Sequence, residues 1–219
     1  MLAEHLVYST AIAIIAGMLF FRYSGRDTSW IIILVSYSPD LDLVGNLLLR
    51  WFGRIFLYWG HAVQFLRGVG FAMLNWGATI VHGSFHNLLA MIIFSVMMSV
   101  LLHSFGIRYL DSFLFTLIGF GAHLFEDALV FTVGYRFLWP FSSAVYGLGW
   151  IATSGYEENY NANFFHIANV EVLTIGLLFL FAAILIRTRF EGFGWMRWYI
   201  PEKIYKRYFI KNKKTKATF

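Results

Sequence analysis

At 219 residues the chain is 59% hydrophobic and only 13% charged, with a mean hydropathy of +0.64, far from the roughly 45–50% apolar and 25% charged balance of soluble domains. A water-soluble domain is thereby excluded, and the length suits one membrane domain of about four to seven spans at about 20 residues each. Cysteine is absent, so disulfides are excluded and any metal must be held by imidazole and carboxylate.

Apolar runs in chain order predict five transmembrane helices: Leu6 to Phe21, Trp30 to about Leu49, Leu88 to Phe105, Ser112 to Phe131 and Ile167 to Ile186. The first lacks a basic leader and a small-residue cleavage site, so it reads as a retained span. Between the second and third, Arg50 to Val81 is rich in aromatics and Gly but is interrupted by Arg50, Arg54, His61, Gln64 and Arg67, which predicts interfacial or re-entrant helices. The expected fold class is therefore all-α: a polytopic bundle of about five transmembrane helices with interfacial or re-entrant additions.

The formal charge is +5, yet ten of the seventeen Lys and Arg lie after residue 186. This divides the chain into a membrane domain, 1–190, and a basic, aromatic tail, 191–219. Trp195, Trp198, Tyr199, Tyr205 and Tyr208 alternate with the bases, a pattern suited to anionic lipid at headgroup level, and no nucleic-acid partner is expected. The positive-inside rule puts the tail in the cytoplasm of a cell-membrane protein. Counting back through five spans leaves the N-terminus outside. The segment 137–166, with Glu157 and Glu158, then also lies outside, where its Tyr156, Asn159, Asn161 and Asn163 read as a headgroup gate or a solvated loop.

Ionisable residues inside the membrane cost at least about 2.5–3.5 kcal/mol each and are functional candidates by default. Ser38-Pro39-Asp40-Leu41-Asp42 interrupts the second span, because Pro39 lacks an amide hydrogen and disfavours helix in the residue before it. Two carboxylates appear at that break. His82 and His86 share the i, i+4 spacing of one helical face at the start of the third span, and His123 and Asp127 repeat it in the fourth. His5 opens the first. Taken singly, His5, His61, His103 and His166 read as interfacial residues near helix ends. Asp40, Asp42 and Asp127 lie in mostly apolar sequence with no neighbouring Lys or Arg, so metal ions are the economical partner. The topology puts every one of these candidates in the outer half of the membrane.

On these residues the chain resembles the bacterial and archaeal membrane-bound metal-dependent hydrolases related to the LexA-regulated inner-membrane protein YdjM. The resemblance covers residues 1 to 141. It rests on His5, on Pro39-Asp40-Leu41-Asp42, on the His-rich turn before the third span, on Gly121-x-His123-x-x-x-Asp127 and on Leu138-Trp139-Pro140-Phe141. The family's His-Arg-Gly followed by Thr-His-Ser is here His82-Gly83-Ser84-Phe85-His86-Asn87. The Arg is missing, so its anion-binding role is not implied.

Metal-dependent hydrolysis is what the resemblance implies. The expected site holds one or two divalent ions, zinc foremost with Mn, Mg or Fe as alternatives. Its metal ligands would be His5, Asp40, Asp42, His82, His86, His123 and Asp127. Asp42 and Glu126 are the candidate catalytic residues, Glu126 as general base or as acceptor behind a ligand. Three Asp against two divalent ions leave a net positive site, which favours an anionic substrate such as a lipid or lipid-linked phosphoester. Two other classes stay open. A transporter should show an inverted repeat or a polar path across the bilayer, and a metal-stabilised scaffold would act through its basic tail.

Overall fold

The computed structural model describes residues 2–59, 64–79, 83–151 and 167–206. Its helices in chain order are α1 (Leu2–Ser24), α2 (Trp30–Leu34), α3 (Leu41–Trp59), α4 (Gln64–Thr79), α5 (Leu88–His103), α6 (Tyr109–Val130) and α7 (Ile167–Glu191). A 3-10 helix, Gly192–Trp198, and a last turn, Glu202–Tyr205, follow. Among the described residues there is no β-strand, only an isolated antiparallel bridge between Tyr135 and Tyr146. Three helices are long and apolar enough to cross a membrane, over Ala3–Ser24, Tyr109–Val130 and Asn169–Trp198, and α5 is a shorter apolar helix. The fold is an all-α membrane bundle.

The contacts of α1 set the direction of its neighbours. Tyr8 bonds the Val172 carbonyl at 3.0 Å, and Arg187 reaches the Ile14 carbonyl at 3.2 Å, so α1 and α7 run parallel. Pairing of His5 with Glu126 and of Phe20 with Phe115 makes α6 antiparallel to both. The N-termini of α1 and α7 and the C-terminus of α6 therefore share one end of the bundle. The basic tail leaves from the other.

The predicted second span does not form as one helix. It is divided into the five-residue α2 and the start of α3 by the turns around Pro39, as the missing amide of a proline requires. Ile31 and Ile32 of α2 are fully buried against Ala13, Ala16, Leu102 and Phe115. Close approach is possible because α6 carries Gly119 there: a Cβ on it would lie 2.5 Å from Val35 and 2.9 Å from the Ile32 Cα. Non-helical backbone at membrane depth must be satisfied by protein, and here the Ser36 hydroxyl bonds the Ile33 carbonyl at 2.8 Å while the Ser36 carbonyl accepts from His123.

The Arg50 to Val81 stretch belongs, in its described part, to an antiparallel hairpin of α3 and α4. The two backbones close on each other at Gly53 and Gly70, where a Cβ on Gly70 would meet the Gly53 carbonyl at 2.9 Å. Arg50, Arg54 and Arg67 all lie on its exposed surface. The hairpin leaves the bundle after Asp40 and returns before Gly83, both at the end opposite the tail, so it leaves the direction of the later helices unchanged. His61 lies outside the described residues, as do His82, His166 and the polar stretch from Tyr156 to Asn163.

At the tail end, Arg187 is completely buried. It pairs with Asp27 at 2.6 Å and Glu191 at 3.0 Å, and its guanidinium lies 5.2 Å from the Trp195 ring centre. The 3-10 helix folds back to bury Trp195 with Ala11, Ile14 and Ala183, so the chain stays against the membrane helices at Trp195 before it leaves the bundle. Tyr199 bonds the Ala13 carbonyl at 3.0 Å and also touches Ser29. Burial, with the Asp27 carboxylate beside it, pushes the Tyr199 phenol up to about 12.

Candidate metal centre

Four elements deliver the cluster. His5 comes from the first turns of α1, and Asp40 from the turn between α2 and α3. His86 sits in the turn before α5, and His123 and Asp127 stand one turn apart on α6. All are buried except Asp40, whose side chain is 24% exposed and marks the open side. Of the helical face expected for His82 and His86, His82 lies outside the described residues and His86 is not in a helix. Residues 83–87 form turns, and α5 begins only at Leu88 because Asn87 caps it, its side chain accepting from the Ala90 amide at 2.8 Å.

The donors converge. Asp127 Oδ2 lies 3.4 Å from both His86 Nε2 and His123 Nε2, and Asp40 Oδ1 lies 3.5 and 3.9 Å from the same two nitrogens. His5 stacks on His123 with ring centres 3.8 Å apart. Two overlapping sets of three, His5 with His123 and Asp127 and Asp40 with His86 and His123, each hold their donor atoms within 4.8 Å.

His123 and His5 are each turned by a hydrogen-bonded partner behind the ring, and His86 has a carboxylate further off on that side. His123 Nδ1 lies 2.7 Å from the Ser36 carbonyl. A carbonyl only accepts, so Nδ1 carries the proton and Nε2 offers its lone pair. His5 Nδ1 lies 2.9 Å from Glu126 Oε2, and His86 Nδ1 lies 3.8 Å from Asp42 Oδ2. His5 and His123 are thereby arranged to present Nε2, the pattern of metal-binding imidazoles held by carboxylate or carbonyl acceptors, while His86 has Nε2 towards Asp40 and Asp127 and Nδ1 towards Asp42. Glu126 stands behind His5 and is the buried acceptor of that pair. Asp42 stands behind His86, where its Oδ2 accepts from the Gly83 amide at 2.9 Å, and it belongs to neither set of three.

The residues present fit a metal ion. His123 Nε2 and Asp127 Oδ2 are buried, face each other and have no hydrogen-bond partner. Two lone pairs held together without water are costly unless a cation or proton lies between them. Donors about 2.0–2.1 Å from a common zinc lie at most about 4 Å apart, which the 3.4–3.9 Å spacings satisfy. Three imidazoles and two carboxylates suit zinc, iron or manganese.

Two contributors escaped the sequence reading. One is the Ser36 carbonyl, a backbone atom that no side-chain pattern reports. The other is Tyr135, which stacks on His86 at 4.2 Å from a segment with no helical periodicity to place it.

Bundle and cluster together define a polytopic helical membrane protein with a buried His/Asp centre at one end. The chain belongs to the YdjM inner membrane protein family, whose model matches residues 1–200 and so extends through α7 and the 3-10 helix. Neither a curated protein nor a solved structure matches it.

Proposed function

We propose that this chain is a membrane-embedded, metal-dependent hydrolase of a phosphoester in a lipid or lipid-linked substrate. The observation that carries the proposal is the convergence of His5, His86, His123, Asp40 and Asp127 on one buried space with partially open access beside Asp40. A bound divalent ion would act as a Lewis acid and lower the pKa of water from 15.7 to about 7. The protein's part is to hold five donors, exclude bulk water and orient the His5 and His123 rings through Glu126 and the Ser36 carbonyl. Because His123 has only Nε2 to give, the two sets of three describe one primary ion. A second ion would need Asp40 or Asp127 to bridge.

Protein purified without chelator is expected to carry about one equivalent of tightly held zinc or a similar ion, by mass spectrometry of the metal. It should hydrolyse at least one of phosphatidate, a polyprenyl phosphate or a glycerophospholipid in mixed micelles. Activity should rise with pH towards a plateau near neutrality, since the base form of a group with a pKa near 7 accumulates as pH rises. Metal-free preparations, or no turnover of any of the three, would remove the reading.

The proposed orientation puts the tail in the cytoplasm, where it meets anionic lipid, and the cluster in the outer half of the bilayer. Leu2→Cys and Thr215→Cys, in a chain with no native cysteine, should label with impermeant maleimide from opposite sides of sealed vesicles. Labelling of both from one side would overturn that orientation.

A further inference from the structure

A cavity of about 480 Å³ lies against α5 and α6, lined in part by residues adjacent in sequence to Asp40 and His86 of the His/Asp cluster. This is within the range of about 300–1,000 Å³ for small-molecule sites. Its lining is almost wholly apolar, but one end is bordered by Ser38 and Leu41, which flank the Asp40 turn, and by Phe85 and Asn87 on either side of His86. From there it descends along Ala90, Ile93 and Met97 of α5. Asn87 to Met97 is ten residues, or about 15 Å of helix at about 1.5 Å per residue. That is half of a hydrocarbon core about 30 Å thick, the depth of one leaflet.

The groove opens on the lipid side. Ile93 and Met97 are 51% and 63% exposed and continue into the exposed row of Ile92, Val96 and Val100. Trp139 also lines the groove, and tryptophan favours the headgroup level of a bilayer. An end bordered by the neighbours of Asp40 and His86, an apolar trough one leaflet deep and a mouth continuous with the bilayer-facing surface suit a hydrocarbon chain whose headgroup lies by the cluster. A second apolar groove, between α1, α6 and α7, meets the centre differently. Its contact is Glu126, which stands behind His5.

We infer that the groove along α5 is a binding site for one hydrocarbon chain of a membrane lipid, which brings that lipid's phosphate group beside Asp40 and His86. This rests on the hydrolase reading for its consequence, but chain binding can be measured without turnover. The probe is phosphatidate with a diazirine in one acyl chain, at low mole fraction in phosphatidylcholine nanodiscs containing the full-length protein. After illumination, the modified residues are located by peptide mass spectrometry.

Adducts are expected to concentrate between Leu89 and Met97 and at Phe120. They should fall at least fivefold in Ile93→Trp, which fills the trough from an exposed position, and likewise in Ala90→Phe. Leu178→Trp, on the exposed face of α7, should leave the pattern unchanged. Adducts spread evenly over α5 and α7, or undiminished in both groove variants, would overturn the inference. Groove labelling without hydrolysis of any substrate would support the chain site and remove the hydrolase reading. Hydrolysis without groove labelling would do the reverse.

Discussion

Asp127→Asn is expected to empty the centre of metal and to abolish hydrolysis while leaving the helical bundle folded. Asp127 Oδ2 faces both His86 Nε2 and His123 Nε2 at 3.4 Å, so its charge is shared between two imidazoles. Asparagine keeps the shape and removes the charge that offsets a buried cation. Loss of a partner behind a metal ligand already costs about 10–100-fold in affinity or activity, and direct loss of a ligand should cost at least about 100-fold. The comparison variant is Glu126→Gln, which keeps an acceptor near His5 Nδ1 and should stay within the smaller range. Metal content per protein, turnover and far-UV circular dichroism are the three readouts. Full metal occupancy in Asp127→Asn would show that the cluster is not a metal centre.

Arg187→Met should produce the largest loss of stability of any substitution away from that cluster. It removes the guanidinium that pairs with the buried Asp27 at 2.6 Å and reaches the Ile14 carbonyl and the Tyr199 hydroxyl. Breaking a buried pair by removing one partner costs about 3–5 kcal/mol, because the remaining charge is left uncompensated. The double variant Asp27→Asn/Arg187→Met removes the fully buried orphan charge, leaves only the part-exposed Glu191 carboxylate without its partner, and should recover part of that loss. Unfolding in micelles, followed by fluorescence of the eight tryptophans, measures both. If the single variant is as stable as the parent, the pair contributes nothing to holding α1, α7 and the α1–α2 connection together.

Neither result follows from one local pattern. Arg187 stands in sequence as the first base of a cationic tail, read as drawn to anionic lipid. In the fold it points inward, where Asp27, 160 residues earlier, accepts from its guanidinium at 2.6 Å. The burial of Trp195 and Tyr199 has the same origin. An aromatic run beside bases carries no mark of whether it meets headgroups or folds back on α1.

By itself the sequence determined the solvent and the chemistry: the apolar runs of α1, α5, α6 and α7, the break at Pro39, and the His and Asp residues that have no place in lipid. Those features are local, set by transfer free energy, by the missing proline amide and by the 3.6-residue period that puts His123 and Asp127 on one face. Only the tertiary structure decided which residues face the centre and which stand behind it. His123 is oriented by a carbonyl 87 residues away, His5 by Glu126 at a separation of 121, and Asp42 turns from expected ligand to the partner of His86 and the Gly83 amide. The physical reason is that an imidazole has two nitrogens and a carboxylate two oxygens. Which of them meets an ion is fixed by the acceptor or donor that the packed helices bring to the other.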